Sequence, residues 1–148
     1  MTSSDQFPSA DRDAIADAER IYRTWDDALS RKDLDASLAL YAEDATLESP
    51  LIRHLQQSNR GVLEGKAALR SFIEMVFRTQ PPQRKCYRQG FFTDGTRLIW
   101  EYPRVTPDGE QFDLVEVMEL KDGLIQHHRV YWGWFGLRQL QEGAHRVG

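Results

Sequence analysis

Apolar residues recur at Ile15, Ala18, Tyr22, Trp25 and Leu29, the spacing of one helical face, after Ser9 as N-cap and Asp11 and Asp13 near the positive helix end. Lys32-Asp33 breaks this first amphipathic helix, and Asp33 is placed to cap a second, shorter one carrying Leu34, Leu38 and Tyr41 on one side. Ala45 to Ser49 alternates and stops at Pro50, which predicts a short strand with Leu47 and Ser49 on one face. Leu51 to Glu64 is polar with scattered apolar residues, a loop with room for a helical turn and well placed to cover a pocket. A third helix after Gly65 carries Leu69, Phe72, Ile73, Val76 and Phe77, and Pro81-Pro82 bars its continuation. Four strands follow: Gln83 to Phe92, Arg97 to Val105, Phe112 to Lys121 and Leu124 to Leu137. Turns at Asp94-Gly95, Pro107-Asp108-Gly109 and Asp122-Gly123 separate them. Helices followed by an antiparallel meander predict an α+β domain with helices on one face of a curved sheet.

The last two runs contain a conflict. Val115, Val117, Ile125, Val130 and Tyr131 favour a pleated surface, yet Glu116, Glu119, His127, His128 and Arg129 lie among them. Burying such groups costs free energy unless each is paired or used. What Glu116 faces depends on the turn. A two-residue type I′ turn at Asp122-Gly123 sets Glu116 opposite Arg129 as a structural ion pair, whereas a three-residue loop with Gly123 as an αL bulge sets it opposite His128. The second register is favoured because it surrounds one acid and one imidazole with Leu114, Met118, Val130 and Trp132 on one face. His127 then faces outward.

The chain has 148 residues, 41% hydrophobic and 28% charged, enough for a single domain spanning 1–148 with a real core, residues 1–8 being polar and frayed. Its formal charge of −4 gives no basic footprint for nucleic acid. No apolar run approaches membrane-spanning length, and the first residues lack the basic and apolar regions of a signal peptide, so a cytoplasmic location is expected. The single cysteine, Cys86, forms no internal disulfide and reads as packing. Adjacent His127 and His128 point to opposite faces of a strand and no HxxxH or CxxC accompanies them, so no metal is expected. The sequence also holds no GxGxxG, Walker loop or GxSxG, so no cofactor and no serine hydrolysis are expected.

Three stretches carry a resemblance: Ala28 to Pro50 (ALSRKDLDASLALYAEDATLESP), Gly65 with Ala67, Ala68, Leu69 and Phe72, and the DGLI run leading into RVYW. Together with the element order they resemble the nuclear transport factor 2-like superfamily, in its SnoaL-like and ketosteroid-isomerase-like branch, over roughly Ile15 to Leu137. The resemblance implies a cone-shaped, curved antiparallel sheet with three N-terminal helices, a cystatin-like α+β barrel roll. Its mouth would hold a small, largely apolar ligand, and the outer sheet face would make a homodimer. The ketosteroid isomerase pattern does not carry over whole. Its general base falls on Ser49 and its oxyanion-hole tyrosine on Trp25; only its second acid has a counterpart, Glu116.

Glu116 and His128 are the expected proton-handling pair, with Trp25, Tyr41, Ser49, His54, Phe72, Trp100, Tyr102, Met118 and Trp132 as ligand contacts. Trp25, Trp100, Tyr102 and Trp132 are expected to converge on one cavity. The function expected is acid/base isomerisation, cyclisation or dehydration of a lipophilic, cyclic or polyketide-like molecule. The competing reading is a non-catalytic ligand-binding or assembly module of the same fold. A convex-face homodimer is expected from Val115 and Val117 alternating outward beside Ile125 and Tyr131.

Overall fold

A computed structural model describes residues 11–56, 59–79, 85–86, 90–101, 104–105 and 111–142. The expectations for residues 1–8, Ser9, Pro81-Pro82, Tyr102 and the Pro107-Asp108-Gly109 turn lie outside the described residues, as does the side chain of Cys86. Helix α1, Arg12–Arg31, begins at Asp11, whose carboxylate accepts the Asp13 N–H at 2.9 Å, and ends at Lys32 in the left-handed region. Asp33 caps α2, Leu34–Leu38, by accepting from the Ala36 N–H at 3.0 Å. Tyr41 was expected on that helix, but it opens strand β1, Tyr41–Glu48. The Leu51–Glu64 stretch, expected as a loop, contains helix α3, Pro50–Gln56, and strand β2, Val62–Glu64. Helix α4, Lys66–Thr79, follows Gly65 and buries Leu69, Phe72, Ile73, Val76 and Phe77.

The remaining strands are β3 (Lys85–Cys86), β4 (Phe92–Thr93), β5 (Arg97–Glu101), β6 (Arg104–Val105), β7 (Gln111–Phe112), β8 (Leu114–Lys121) and β9 (Leu124–Trp132). The main sheet has six strands in the order β2-β1-β9-β8-β5-β4, and β3, β6 and β7 form a small second sheet. The main sheet is not wholly antiparallel: β1 lies parallel to β9, with Thr46 opposite His127 and Leu47 opposite His128. This pairing is what brings Tyr41 to the last hairpin. The helical apolar stripes pack on one face of the sheet, where Ile21, Ile52, Leu69, Leu98, Met118 and Ile125 are fully buried.

The hairpin register combines parts of both expected alternatives. Asp122 and Gly123 both have positive φ, 53° and 73°, and Lys121 pairs with Leu124, as a two-residue turn requires. One residue further, the ladder shifts between Glu119 and Leu120: Leu120 pairs with Ile125, but Glu119 pairs with His127. Gln126 is the extra residue, a bulge within β9 rather than at the turn. Glu116 therefore sits opposite Val130, not opposite Arg129 or His128. The bulge returns Glu116, His128, Val130 and Trp132 to one face, and it turns Ile125 inward, where it is fully buried, instead of beside Tyr131 on the outer face.

The expected fourth strand also ends early. Trp134 and Phe135 belong to helix α5, Trp134–Gln141, and are exposed. Asp113 at the edge of β8 takes the role of helix cap from outside: its carboxylate accepts the Gly136 N–H at 2.9 Å and its carbonyl accepts the Gly133 N–H at 2.8 Å. A cap supplied by a residue twenty positions away leaves no local signal in the sequence.

Candidate functional site

A cavity of about 80 Å³ lies between the helices and the concave sheet face. Trp25 and Leu29 of α1, Phe72, Ile73 and Val76 of α4, and Leu47, Leu114, Val130 and Trp132 of the sheet make it apolar. Among its lining residues the titratable groups are Tyr41, Glu116 and His128; Ser37, Ser49 and the indole nitrogens of Trp25 and Trp132 supply the other polar side-chain atoms. Ser37 Oγ donates to the Asp33 carbonyl at 2.7 Å, and Ser49 Oγ accepts the Leu51 N–H at 3.2 Å. Both serines are thus tied into helix starts.

Glu116 and His128 are 2% and 3% exposed, and the His128 Nε2 is hydrogen-bonded to Glu116 Oε2. They meet diagonally across β8 and β9, since their Cα partners are Val130 and Met118. Tyr41 reaches the same imidazole from the parallel strand, its hydroxyl 2.8 Å from His128 Nδ1. The Trp25 side chain in turn hydrogen-bonds Tyr41. Four side chains from α1, β1, β8 and β9 thus form one chain of hydrogen bonds against the cavity. Burial pushes the Tyr41 phenol above its ordinary value, the negative charge of Glu116 adds to the rise, and the Trp25 hydrogen bond opposes it.

Seven of the eleven expected site residues line this cavity: Glu116, His128, Trp25, Tyr41, Ser49, Phe72 and Trp132. Trp100 does not; it packs edge-on against Trp25 with ring centroids 5.1 Å apart and supports that ring from the core side. Met118 is fully buried beside His128 in the ladder, outside the cavity. His54 lies half-buried on α3 and is not among the lining residues, although Leu51 of the same helix is. Tyr102 falls outside the described residues, so the four expected aromatics share the cavity only through Trp25 and Trp132. Ser37, Leu29, Ile73 and Val76 were not anticipated, although Leu29, Ile73 and Val76 sit on helical stripes the sequence displays.

His127 faces the other way. Its Nδ1 is hydrogen-bonded to Thr46 Oγ1 and its Nε2 lies 2.7 Å from Glu48 Oε2, while Arg129 pairs with Glu119 at 2.9 Å instead of with Glu116. Acidic and basic groups on the outer face therefore neutralise one another and leave the inner acid to the imidazole. Among the described residues, no group of three or more His, Cys, Asp or Glu side chains converges as a metal site, and no helix is long and apolar enough to cross a membrane.

A sequence model of the SnoaL-like domain matches residues 22–128, a span that includes Trp25, Tyr41, Glu116 and His128. The chain belongs to the SnoaL-like domain family. Solved structures agree on the fold. A SnoaL-like protein of unknown function from Burkholderia thailandensis is 22% identical over 80% of this chain and 97% of its own, with a TM-score of 0.67. A provisionally named ketosteroid isomerase from Kribbella flavida is also 22% identical, over 80% of this chain and 79% of its own, with a TM-score of 0.61. The epoxide hydrolase/cyclase-like enzyme SalBIII, of pyran ring formation in salinomycin, is 21% identical over 80% of this chain and 92% of its own, with a TM-score of 0.61. At these identities the likeness extends to the fold alone, which houses isomerases, cyclases and proteins of unknown function. No curated protein matches this SnoaL-like chain in sequence.

Removing one member of a buried pair strands the other's charge. His128→Leu should lower stability in urea unfolding by about 3 kcal/mol, and the double change Glu116→Met with His128→Leu should recover most of it. Because the Tyr41 proton is held more tightly in the folded than in the unfolded chain, its contribution is complete below the usual tyrosine value near 10 and is lost as pH rises beyond it. Urea midpoints measured through that alkaline range should fall faster for the native chain than for Tyr41→Phe.

Proposed function

We propose that this SnoaL-like protein is an acid/base enzyme that isomerises, cyclises or dehydrates a small lipophilic molecule, with Glu116 and His128 handling the proton. The observation that carries the reading is a carboxylate and an imidazole in direct contact at the wall of an otherwise apolar cavity. A buried ionisable pair costs several kcal/mol of desolvation that an apolar pair would avoid, and here it faces a void instead of filling the core. General acid/base catalysis needs such groups within hydrogen-bonding reach of one proton position.

The cavity also sizes the ligand. Its space of about 80 Å³ between Trp25, Phe72 and Trp132 suits a small apolar group. The non-catalytic reading draws support from the same pair, since two polar groups could merely orient a ligand.

Self-association through the outer sheet face belongs to this proposal. Tyr131 is 55% exposed there beside half-buried Val115 and Val117, and the face's charges are already paired within the chain. Sedimentation at micromolar concentration should give a dimer; a monomer would remove this part of the proposal.

Cyclohex-2-enone serves as a ring-sized probe whose carbon-bound protons exchange with deuterium oxide under acid/base catalysis. The native protein should accelerate that exchange, and Glu116→Gln should reduce the acceleration by about 10²–10⁴-fold while the chain still folds and unfolds cooperatively. Saturable binding of the probe with exchange at the buffer rate would make the protein a binding module.

A further inference from the structure

Resting on the reading of the cavity as a ligand site, we propose that its lipophilic ligand carries a carboxylate, and that a groove beside the cavity holds this group on Arg53.

Strand β1 stops at Glu48 while β9 runs on to Trp132, and the chain turns at Ser49 into α3. A groove of about 370 Å³ opens there along the edge of β9, lined by Arg53 of α3, Gly61, Arg129 and Glu48 among others. Ser49 and Val130 line both this groove and the cavity, so the two spaces share a wall. Ser49 is 6% exposed and fixed in that wall: its N–H donates to the Gly61 carbonyl at 3.0 Å, and its carbonyl accepts the Ile52 N–H at 3.1 Å. Its Oγ accepts the Leu51 N–H at 3.2 Å, which leaves the hydroxyl proton to be donated to a ligand.

The groove lining sets two guanidiniums against one carboxylate. Glu48 is engaged by His127 Nε2 at 2.7 Å, and Arg129 by Glu119 at 2.9 Å. Arg53 is exposed and forms no ion pair among the described residues. Its flat fork of donors matches the two oxygens of a carboxylate. A Cβ at Gly61 would lie 3.6 Å from Arg53 Cγ and 3.7 Å from its Cδ, so the glycine gives the arginine stem a bed beside the groove.

The cavity is the wrong place for the acid itself. Glu116 is 2% exposed in its wall, and a second carboxylate beside it would be both desolvated and repelled. A molecule with an apolar body and an acidic end therefore divides between the two spaces, the body among Trp25, Phe72 and Trp132 and the acid at Arg53. The groove lies on the β1 side of β9, whereas Val115 and Val117 of the outer apolar patch belong to β8 on its other side.

The test follows the indole ¹H–¹⁵N signals of the whole protein at about pH 7, where a carboxylic acid is ionised, while hexanoate or its neutral isostere hexanamide is added. Trp25 and Trp132 line the cavity, and Trp134 on α5, 68% exposed, is the internal reference. Hexanoate should move the Trp25 and Trp132 signals with an affinity about tenfold above that of hexanamide, a preference that shrinks with added salt. Arg53→Gln, a change at an exposed position, should bring the two affinities within about twofold. Arg70→Gln removes the same charge from the exposed surface of α4 and should leave the preference intact. Equal affinities in the native protein, a preference that survives Arg53→Gln or is lost in Arg70→Gln as well, or hexanoate that leaves the Trp25 and Trp132 signals in place, overturns the proposal. Acid preference with enone exchange at the buffer rate counts against catalysis only, whereas enone exchange with acid and amide bound alike counts against the acid site only.

Discussion

Everything distinctive in this protein depends on keeping a carboxylate and an imidazole together out of water. Glu116 and His128 are each almost fully buried, and neither is tolerable there without the other. Their contact is diagonal, so it holds only while β8 and β9 keep one register. The bulge at Gln126 sets that register. A slip of one residue would carry the acid to the outer face among Glu119, Arg129 and Arg97, where the existing ion pairs are already formed.

The helices contribute by closing the apolar side of the same cavity. Trp25 has two jobs that a smaller residue could not combine: its ring stacks edge-on against Trp100, and its N–H reaches Tyr41. Arg20 of α1 donates to the Gly123 carbonyl at 2.9 Å, tying that helix to the tip of the hairpin that carries His128. The long helix is thereby held to the tip of the hairpin, and rigid support of this kind keeps a site's geometry within tolerance.

The two sheet faces also separate two kinds of charge chemistry. On the outer face, His127 with Glu48 and Arg129 with Glu119 are half-buried pairs with solvent access. Pairs in that setting are worth little to stability. On the inner face one glutamate and one histidine meet almost without solvent, where a proton's position carries much larger free-energy consequences.

The sequence by itself determined the helical stripes of α1 and α4, the Asp33 cap, the Asp122-Gly123 turn and the opposed faces of His127 and His128, because each rests on interactions within a few residues. It also marked Glu116 and His128 as polar groups misplaced among strand residues, and the stretches that resemble the SnoaL-like family. Only the tertiary structure decided the rest. The parallel pairing of β1 with β9 brought Tyr41, expected on a helix, to His128. The bulge arose at Gln126, two residue pairs beyond the turn that seemed to govern it, and α5 took its cap from Asp113. Each of these is a contact between segments far apart in the chain, and a local pattern of side chains has no means of encoding the partner at the other end.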